Sequence, residues 1–433
     1  MTDRLLIQNG TLVQPSSGTL READVLIKGG VIARIDRGIF DPSAQCIDAA
    51  GLLVGPGFIN LHVHFRDLEE AHKENLLSGS RAAVKGGFTS VVCMPNTRPP
   101  LDTPVMIRSL LERNRAIGLI NLYPTAAVTT GLNGLTMTEY GLLKEAGAVA
   151  LSDDGCCVLD AALLSRAFQY ASYFGLPFIL HEEDTLLAGE GQVHPGETAF
   201  VKGLRGIPLT AEESILARDL VLCLRSGARV HFTHLSTDLS VDLIRWFRGK
   251  KARISADVTP HHLLLHEEDV GTLGNLAKVK PPLRRLSDIE ALKEGIHDGT
   301  IEYLASDHAP HALADKEGDF SRAAFGISNL DVAVPLYVKA LVDEGVVDWI
   351  QLWRLMSANP AAFLGLRKKG ALEEGMDADL TVVDPDTEWE VKVDRFESKG
   401  RNCPFDGWPL RGWPVYTVIG GRLMMSKRSL PDQ

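Results

Sequence analysis

Short β-rich apolar runs alternate with helical spacing through the middle of the chain. Segments such as residues 161–174 and 211–226 repeat apolar residues at helical intervals between those runs. The predicted strands are Phe58 to His64, Ser90 to Met94, Leu119 to Tyr123, Ala148 to Ser152, Pro177 to His181, Arg229 to His234, Arg253 to Asp257 and Ile301 to Asp307. Eight strands in about 310 residues fit an α/β fold of the TIM-like (β/α)8 barrel type. A doubly wound open sheet is the alternative, but the chain has no Gly-x-Gly-x-x-Gly phosphate loop to support it.

The two ends of the chain have a different pattern, with short strands separated by tight turns. Leu5 to Gln8 runs into Asn9-Gly10 near the start, and Val415 to Ile419 runs into Gly420-Gly421 near the end. These patterns predict a small β-sandwich domain formed by both termini. We expect residues 1–54 and 366–433 to form this composite β domain and residues 55–365 to form the catalytic barrel.

Composition narrows the class of protein. The chain has 433 residues, 45% of them hydrophobic, and a net charge of -11 with only short basic runs, which argues against a nucleic-acid partner. Its six cysteines show no disulfide spacing, as expected for free thiols in a reducing compartment. No apolar run is long enough to cross a membrane, and no basic-then-apolar leader is visible at the start. We therefore expect a cytoplasmic protein without a membrane partner.

Polar residues stand where the predicted strands end. His62 and His64 end the first strand, and Asp153-Asp154 follows the fourth. The ends of the fifth, sixth and eighth strands carry His181, His234 and Asp307. Because the C-terminal ends of barrel strands form one rim, residues far apart in sequence converge on a single site.

This residue set suits a metal centre. His62 and His64 are two residues apart on a strand, so both rings face the same way and can bind one divalent ion as neutral nitrogen donors. His181 and His234 can hold a second ion, with a carboxylate bridging the two. Bound metals lower the pKa of water, and a free carboxylate is needed to move protons. Other histidines are interpreted as surface, packing or turn residues without a metal role: His72, His194, His231, His261, His262, His266, His297 and His308.

Several longer motifs resemble those of a known family. They are Pro56 to Asp67 (PGFINLHVHFRD), Gly86 to Thr89, Met94 to Thr97 (MPNT), Ser152 to Gly155, His231 to His234, Pro281 to Arg284, Ala305 to His311 (ASDHAPH), Gly375 to Leu380 and Ser398 to Phe405. Their order and sequence resemble bacterial type I dihydroorotases of the amidohydrolase superfamily over nearly the whole chain. Such enzymes interconvert N-carbamoyl-L-aspartate and L-dihydroorotate in de novo pyrimidine biosynthesis.

The resemblance implies a role for each site residue. His62 and His64 would hold the first Zn²⁺, with Asp307 as a further ligand and the general base. His181 and His234 would hold the second ion where two are bound, and Asp154 would bridge. Many superfamily members have a carboxylated lysine in place of Asp153-Asp154, so the chain resembles the aspartate-bridged branch rather than hydantoinases or allantoinases. The residues implied in substrate binding are His64, Arg66, Asn96, Lys280, His311, Phe325 and Gly326.

Two other functions stay open at this stage. One is another cyclic amidohydrolase acting on a hydantoin or dihydropyrimidine. The other is an inactive dihydroorotase-like partner of aspartate carbamoyltransferase, although such chains typically lose metal histidines. The resemblance also implies a homodimer and allows an association with aspartate carbamoyltransferase.

The chain departs from the family pattern at three places and contains one segment of special interest. Asn60 stands where aspartate is usual, Asp67-Leu68-Glu69 replaces a usual Asp-Pro-Gly, and Lys280 replaces an asparagine that contacts substrate. If Lys280 faces the site, it should favour the open-chain dianion by about 1 kcal/mol; otherwise it points to solvent. Residues 312–324 are predicted to form a mobile loop over the site.

Overall fold

The computed structural model describes residues 4–431, which form a barrel of parallel strands and a sheet built from both ends of the chain. Strands β1 to β5 are Arg4–Gln14, Thr19–Lys28, Val31–Asp36, Gln45–Asp48 and Leu53–Pro56. Strands β6 to β13 are Phe58–Val63, Phe88–Cys93, Asn121–Ala127, Ala150–Ser152, Phe178–Leu180, Val230–Phe232, Ile254–Val258 and Tyr303–Leu304. Strands β14 to β18 are Leu380–Asp384, Trp389–Glu390, Pro409–Leu410, Trp413–Ile419 and Arg422–Ser426.

Helices follow most of the barrel strands. Helices α1 to α8 are Leu76–Lys85, Pro104–Ile117, Tyr140–Ala146, Ala161–Ser172, Thr185–Ala188, Glu197–Lys202, Thr210–Ser226 and Asp238–Gly249. Helices α9 to α15 are Pro260–Leu264, Val270–Leu273, Leu286–His297, Leu313–Lys316, Ala333–Tyr337, Trp349–Trp353 and Asn359–Leu364. Two π-helical segments, Val338–Val342 and Arg354–Ala358, continue α13 and α14. None of the helices within residues 4–431 is long and apolar enough to cross a membrane.

Strands β6 to β13 pair in sequence order, and the sheet nearly closes into a barrel. Val63 at the end of β6 forms a parallel bridge with His308 just beyond β13, and the backbone amide of His64 donates to the carbonyl of His308 at 2.9 Å. This closure confirms the predicted barrel and excludes the open doubly wound sheet. Every residue of β6 is buried, as expected for a parallel strand covered on both faces.

The bounds of the barrel strands differ from the predicted ones by a few residues, and the third and the last strands differ most. The third barrel strand begins and ends later than predicted, because Pro124 lies inside β8 and its carbonyl accepts the amide of Val149 from the neighbouring segment. A proline within a barrel strand removes only one donor, so the pairing continues through it. The last barrel strand is shorter than predicted, and the residues up to Asp307 leave the regular ladder.

The sheet at the chain ends combines strands from both termini. Its order is β18-β17-β14-β5-β1-β2-β3, with β4 paired to β1. It packs on the N-terminal side of the barrel, where the Trp353 indole donates to the carbonyl of Pro56 at 3.1 Å. Gly55 is needed there, because a Cβ at this position would overlap the same indole ring. The composite β unit is confirmed; its boundaries at residues 1–54 and 366–433 stay a prediction and include a few residues outside the described range.

Candidate metal centre

The C-terminal rim of the barrel brings together all six side chains that the sequence predicted as ligands. These buried residues are His62, His64, Asp154, His181, His234 and Asp307. They lie at the bottom of a cavity of about 280 Å³, and most of them form part of its wall. The six side chains therefore converge on one rim, as the strand-end pattern predicted; their roles as ligands stay a prediction.

The backbone at this rim is strained at three functional positions. Arg66, His234 and Asp307 have φ angles of 48°, 42° and 43°, in the left-handed region that residues other than glycine rarely occupy. Each residue follows the end of a strand, and the turn redirects its side chain toward the cavity. Strain of this kind persists where surrounding structure holds it, and it clusters at functional sites.

His62, His64 and Asp307 form the first group of donor atoms. The Nε2 atoms of His62 and His64 lie 3.2 Å apart. Asp307 Oδ1 lies 3.4 Å from His62 Nε2 and 3.1 Å from His64 Nε2. Donors bound at about 2.0–2.2 Å to one tetrahedral ion are about 3.3–3.6 Å apart, so these spacings match a shared cation.

Asp154 lies between the first group and a second one. Its Oδ1 is 3.4 Å from His62 Nε2, 4.0 Å from His181 Nδ1 and 3.9 Å from His234 Nε2. This oxygen is buried and has no hydrogen-bond partner within residues 4–431. The sets His62, His64, Asp154 and Asp154, His181, His234 each have the spacing of a metal-binding group. An orphaned carboxylate oxygen among facing imidazoles fits a bound divalent cation.

Hydrogen bonds fix the orientation of the first two histidines. His62 Nδ1 donates to Thr233 Oγ1 at 2.8 Å, and Thr233 Oγ1 in turn donates to Asp257 Oδ2 at 3.0 Å. His64 Nδ1 donates to Asn96 Oδ1 at 2.8 Å. Each bond places a proton on Nδ1 and leaves the Nε2 lone pair free for a metal, which is the usual outer-shell arrangement.

The electrostatics of the group favour positive charge at its centre. Burial lowers the pKa of His62, but the carboxylates of Asp154 and Asp307 outweigh it and raise that pKa to about 9. Burial and the neighbouring His234 lower the pKa of His181 to about 4. Burial raises the pKa of Asp154, but His62 and His234 hold it well below its ordinary value. The carboxylates that attract a proton to His62 attract a divalent cation equally well.

The cavity above the donor groups presents an unpaired cation. Arg66 lines the cavity, its Nε donates weakly to the carbonyl of Pro310 at 3.4 Å, and it forms no ion pair within the described residues. His311 lies beside it, with 3.5 Å between Arg66 Nη2 and His311 Nε2, and His311 Nε2 donates to the carbonyl of Phe325 at 2.8 Å. The guanidinium fork is therefore free to bind a planar carboxylate with two parallel hydrogen bonds.

Asn96 lies in the cavity wall, and its side-chain amide also supports the donor groups. Its Oδ1 accepts from His64, and its Nδ2 donates to the backbone carbonyl and to Oδ2 of Asp154, at 3.3 and 3.2 Å. Asn96 thus connects a histidine of the first group with the carboxylate between the groups. Its predicted contact with a substrate carboxylate stays a prediction.

Lys280 lines the cavity rather than pointing into open solvent. Its Nζ donates to Glu183 Oε1 at 2.7 Å and lies 4.9 Å from the centre of the Phe325 ring. The partner carboxylate offsets most of the charge that the sequence alone suggested would act on a substrate. Gly326 follows Phe325 in the wall, with a φ of 140°, and a Cβ there would be 2.8 Å from the Cβ of Ala309.

Two buried lysines hold the segment at residues 312–324. Lys316 Nζ donates to the carbonyls of Lys278, Ala324 and Gly326 at 3.1, 2.8 and 3.0 Å. Lys278 Nζ donates to the carbonyls of Phe320 and Ser321 at 2.6 and 3.1 Å. These bonds connect the segment to the cavity wall at Phe325-Gly326. The predicted mobility of the segment stays a prediction, for which amide hydrogen exchange is the test.

Asn60 stands where the family usually has aspartate, and both polar atoms of its side chain form hydrogen bonds. Its Oδ1 accepts the backbone amides of His62 and Ser306 at 3.1 and 3.2 Å, and its Nδ2 donates to Ser306 Oγ at 2.6 Å. The amide therefore ties the first barrel strand to the last one beneath the ligands. Before the departure at Leu68-Glu69, Asp67 Oδ2 pairs with Arg113 Nη1 at 2.6 Å.

Sequence reasoning missed some supporting residues. Asp257 lies at the predicted end of the seventh strand, so the strand-end rule that found the ligands could have found it. It accepts the backbone amide of His234 at 2.7 Å as well as the Thr233 hydroxyl. Glu183 lies two residues after His181, so the same rule could have found it as well. Lys278 and Lys316 had no comparable signal, because long connections bring them to the site.

Comparisons with known proteins agree with the site geometry. Residues 51–240 match the dihydro-orotase-like family model, and residues 252–425 match an amidohydrolase family model. A dihydroorotase of Pelotomaculum thermopropionicum is 45% identical over 98% of this chain and 99% of its own length. A dihydroorotase of Pelobacter propionicus is 42% identical over 97% of this chain and 99% of its own length. The chain belongs to the dihydroorotase family.

Solved structures of hydantoinases (dihydropyrimidinases) have a fold similar to that of this chain. An L-hydantoinase (dihydropyrimidinase) from Arthrobacter aurescens has a TM-score of 0.89 at 27% identity, covering 100% of this chain and 98% of that one. A D-hydantoinase (dihydropyrimidinase) from Thermus sp. has a TM-score of 0.85 at 23% identity, covering 99% and 97%. The second likeness supports the fold alone. The comparisons confirm the resemblance to dihydroorotases that the motifs indicated.

Proposed function

We propose that this family member is an active dihydroorotase that interconverts N-carbamoyl-L-aspartate and L-dihydroorotate as a step of pyrimidine biosynthesis. The observation that carries the proposal is Arg66, an unpaired guanidinium in the same small cavity as the two donor groups. Dihydroorotate differs from dihydrouracil by one ring carboxylate. An unpaired arginine at the cavity wall supplies the partner that this carboxylate needs.

We propose Zn²⁺ as the cofactor, with two ions per chain, because Asp154 belongs to both donor groups. His62, His64 and Asp307 would hold one ion and His181 and His234 the other, with Asp154 between them. Nitrogen and carboxylate donors at these spacings suit zinc. When bound, divalent cations lower the pKa of water and polarise an amide carbonyl.

Side chains of the cavity then bind the substrate and transfer the proton. Arg66 binds the ring carboxylate and orients the ring, and Phe325 and Gly326 form the wall beside it. Asp307 takes the proton of the attacking water during ring opening and returns it to the ring nitrogen as the amide bond breaks. Ring closure follows the reverse path. Closure converts a dianion to a monoanion and consumes one proton, so it should be favoured at lower pH.

The similar solved structures are hydantoinases (dihydropyrimidinases), so such an activity is the alternative to exclude. Dihydrouracil, which lacks the ring carboxylate, distinguishes the two activities. We expect zinc-loaded enzyme to prefer dihydroorotate over dihydrouracil in kcat/KM by about 100-fold or more, because a site built for a charged hydrogen bond rejects an analogue without it. Arg66→Met should remove most of that preference and leave metal content unchanged. Equal activity on both substrates would refute the dihydroorotase assignment.

The remaining alternative is an inactive partner of aspartate carbamoyltransferase. The complete donor set argues against it, since a chain without catalysis has no need to keep five buried residues at metal spacing with Asp307 beside two of them. We propose a homodimer in the cytoplasm, where the six free cysteines would stay reduced. Association with aspartate carbamoyltransferase is a further proposal, which gel filtration of the two purified proteins tests.

A further inference from the structure

A second cavity lies away from the metal centre, between the C-terminal turn and the segment at residues 388–396. Its volume is about 690 Å³, compared with about 280 Å³ for the metal-centre cavity, and the two share no lining residue. A volume of this size is typical of sites for small organic molecules. Neither the metal chemistry nor the binding of a dihydropyrimidine ring uses it.

Basic side chains outnumber acidic ones in the wall of this second cavity. The basic side chains are Lys85, Lys392, Arg395, Lys427 and Arg428, and the acidic ones are Asp331, Glu388 and Glu390. None of the five lies within ion-pair distance of a carboxylate in the described part of the chain. In a protein with a net charge of -11, five cations against three carboxylates leave a local excess of two positive charges around this cavity, which favours an anionic ligand.

Two of these cations form the inner part of the cavity. Lys85 Nζ donates to the backbone carbonyl of Arg428 at 2.6 Å, and both residues are half-buried. Burial lowers the pKa of Arg428 to about 10, and burial together with Arg428 lowers the pKa of Lys85. A neighbouring anion would relieve the unfavourable burial of both charges.

Aromatic rings fix the position of Arg428 and offer a surface for stacking. Its guanidinium carbon lies 4.2 Å from the ring centre of Trp413 and 5.6 Å from that of Trp389. Trp389 remains 37% exposed, so part of its ring is available to a ligand. An exposed indole ring can stack on the planar, nitrogen-containing ring of a ligand. Such stacking does not require a particular pattern of hydrogen bonds.

The backbone that presents Arg428 is strained. Lys427 and Arg428 have φ angles of 46° and 62° in a turn that Ser426 and Ser429 close as an antiparallel bridge. A two-residue turn with positive φ at both positions normally favours asparagine and glycine. Two basic residues here hold an unfavourable conformation, as is common where side chains must point at a ligand.

Asp331 is an anionic neighbour of both Lys85 and Arg428, and it keeps an unpaired acceptor oxygen. Its side chain is only 2% exposed and forms part of the cavity wall. Oδ1 accepts the backbone amide of Glu397 at 2.7 Å, whereas Oδ2 has no partner within residues 4–431. A buried carboxylate oxygen of this kind requires an N–H or O–H donor.

We propose that this second cavity binds a nucleoside monophosphate. Its phosphate would contact Arg428 and Lys85, its base would stack on Trp389, and an N–H of the base would donate to Asp331 Oδ2. A free phosphate would satisfy the cations but leave the indole surface and Asp331 without partners. The site is separate from the metal centre, so the inference does not depend on the proposed dihydroorotase activity.

Calorimetric titration of the full-length, zinc-loaded protein tests the proposal. The probes are UMP, AMP, uridine and inorganic phosphate. We expect at least one nucleotide to bind with a Kd below about 1 mM, and uridine and phosphate to bind about tenfold more weakly. Lys85→Met and Arg428→Gln should each weaken nucleotide binding about tenfold or more, because each removes a charged contact.

A control variant and a second test variant accompany the titration, and three outcomes would contradict the proposal. Lys250 lies 5.0 Å from the Trp246 ring outside the cavity, so Lys250→Gln should leave nucleotide affinity unchanged. Because Arg428→Gln can also loosen the fold, Lys392→Gln at the exposed rim provides a second variant, with weaker binding expected and an unchanged Tm. No binding by any probe at about 1 mM, equal affinities for phosphate and nucleotides, or binding unaffected by Lys85→Met and Lys392→Gln would each overturn the proposal.

Discussion

Two groups of buried histidines in this barrel differ in the atoms that lie next to their ring nitrogens. His231 donates from Nε2 to Asp257 at 2.7 Å and meets Ser255 Oγ from Nδ1 at 2.9 Å. His308 accepts the amide of Asn329 at Nδ1, and its Nε2 lies 3.4 Å from Glu74. At the metal centre, His62 Nε2 meets His64 Nε2 instead. All four side chains are almost completely buried.

Burial therefore does not separate a structural histidine from a metal ligand. In the structural group each nitrogen has a partner of the opposite kind, so the hydrogen bonds are complete without an ion. In the metal group, acceptor faces acceptor, and Asp154 Oδ1 has no donor. A metal ion or a proton between these atoms is needed to make the arrangement favourable, and the two groups should respond differently to substitution.

The largest effect is expected from removing a ligand. Alanine in place of His62, His64, His181 or His234 should lower bound metal and lower kcat by about a thousandfold or more, because the nucleophile and the electrostatic stabilisation depend on the ions. Elemental analysis and a dihydroorotate assay on the same preparation measure both. Full metal content with full turnover in all four variants would show that these histidines are structural.

Asp307 should separate metal binding from proton transfer. Asp307→Asn keeps an oxygen donor near His64 but cannot accept a proton, so kcat should fall about 10²- to 10⁴-fold while much of the metal remains. Parallel metal analysis is the control for ligand loss. A variant with near-normal kcat would exclude the proton-transfer role.

Thr233 tests the outer shell of the metal group. Thr233→Val removes the acceptor for His62 Nδ1, so zinc affinity should fall about 10- to 100-fold, and excess zinc should restore much of the turnover. Thr125→Val is the matched control, since that buried hydroxyl donates to the carbonyl of Cys93 at 2.8 Å away from the ligands. Equal zinc affinities in both variants and the wild type would contradict the role of Thr233.

His231 should behave as the opposite case. His231→Gln disrupts a buried contact with Asp257, so the free energy of unfolding should fall by about 1–3 kcal/mol. Zinc content should stay close to that of the wild type, because Asp257 keeps its bonds to Thr233 and to the His234 backbone. Denaturant unfolding and metal analysis measure the two effects. Loss of zinc with an unchanged free energy of unfolding would contradict the structural role of His231.

Lys280 should give the smallest effect. Because Glu183 partners its ammonium group, Lys280→Asn should change the ratio of KM values for carbamoyl-aspartate and dihydroorotate by no more than about threefold. Glu183→Gln exposes the positive charge and should lower KM for the dianion at low salt, with the effect fading at high salt. No change with Glu183→Gln at low salt would rule out an electrostatic role for Lys280.

Periodicity predicted the barrel because eight buried strands with alternating helices have few other arrangements. The strand-end rule predicted that the six candidate ligands converge for the same reason, since every barrel strand ends at one rim. Strand bounds near Pro124 were less predictable, because pairing with neighbours outweighs a local preference. The predicted composite sheet also formed, although hydrogen bonds between residues more than 300 apart connect its two halves.

The partners of the ligands were harder to predict. The Lys280–Glu183 pair joins residues 97 positions apart, and Lys316 reaches carbonyls on both sides of Phe325. Such contacts depend on the paths of long connections, which no local pattern encodes. The second cavity was missed for the same reason, because it combines α1, the residues after β13 and the C-terminal turn.

Zinc titration of metal-stripped enzyme tests the central claim most directly. Turnover of dihydroorotate should be absent without metal and should rise with added zinc until the two donor groups of each chain are filled. Dihydrouracil should remain a poor substrate throughout the titration. Full dihydroorotate turnover in the metal-free protein, or none after zinc has bound, would contradict the assignment of this rim as a metal-dependent dihydroorotase site.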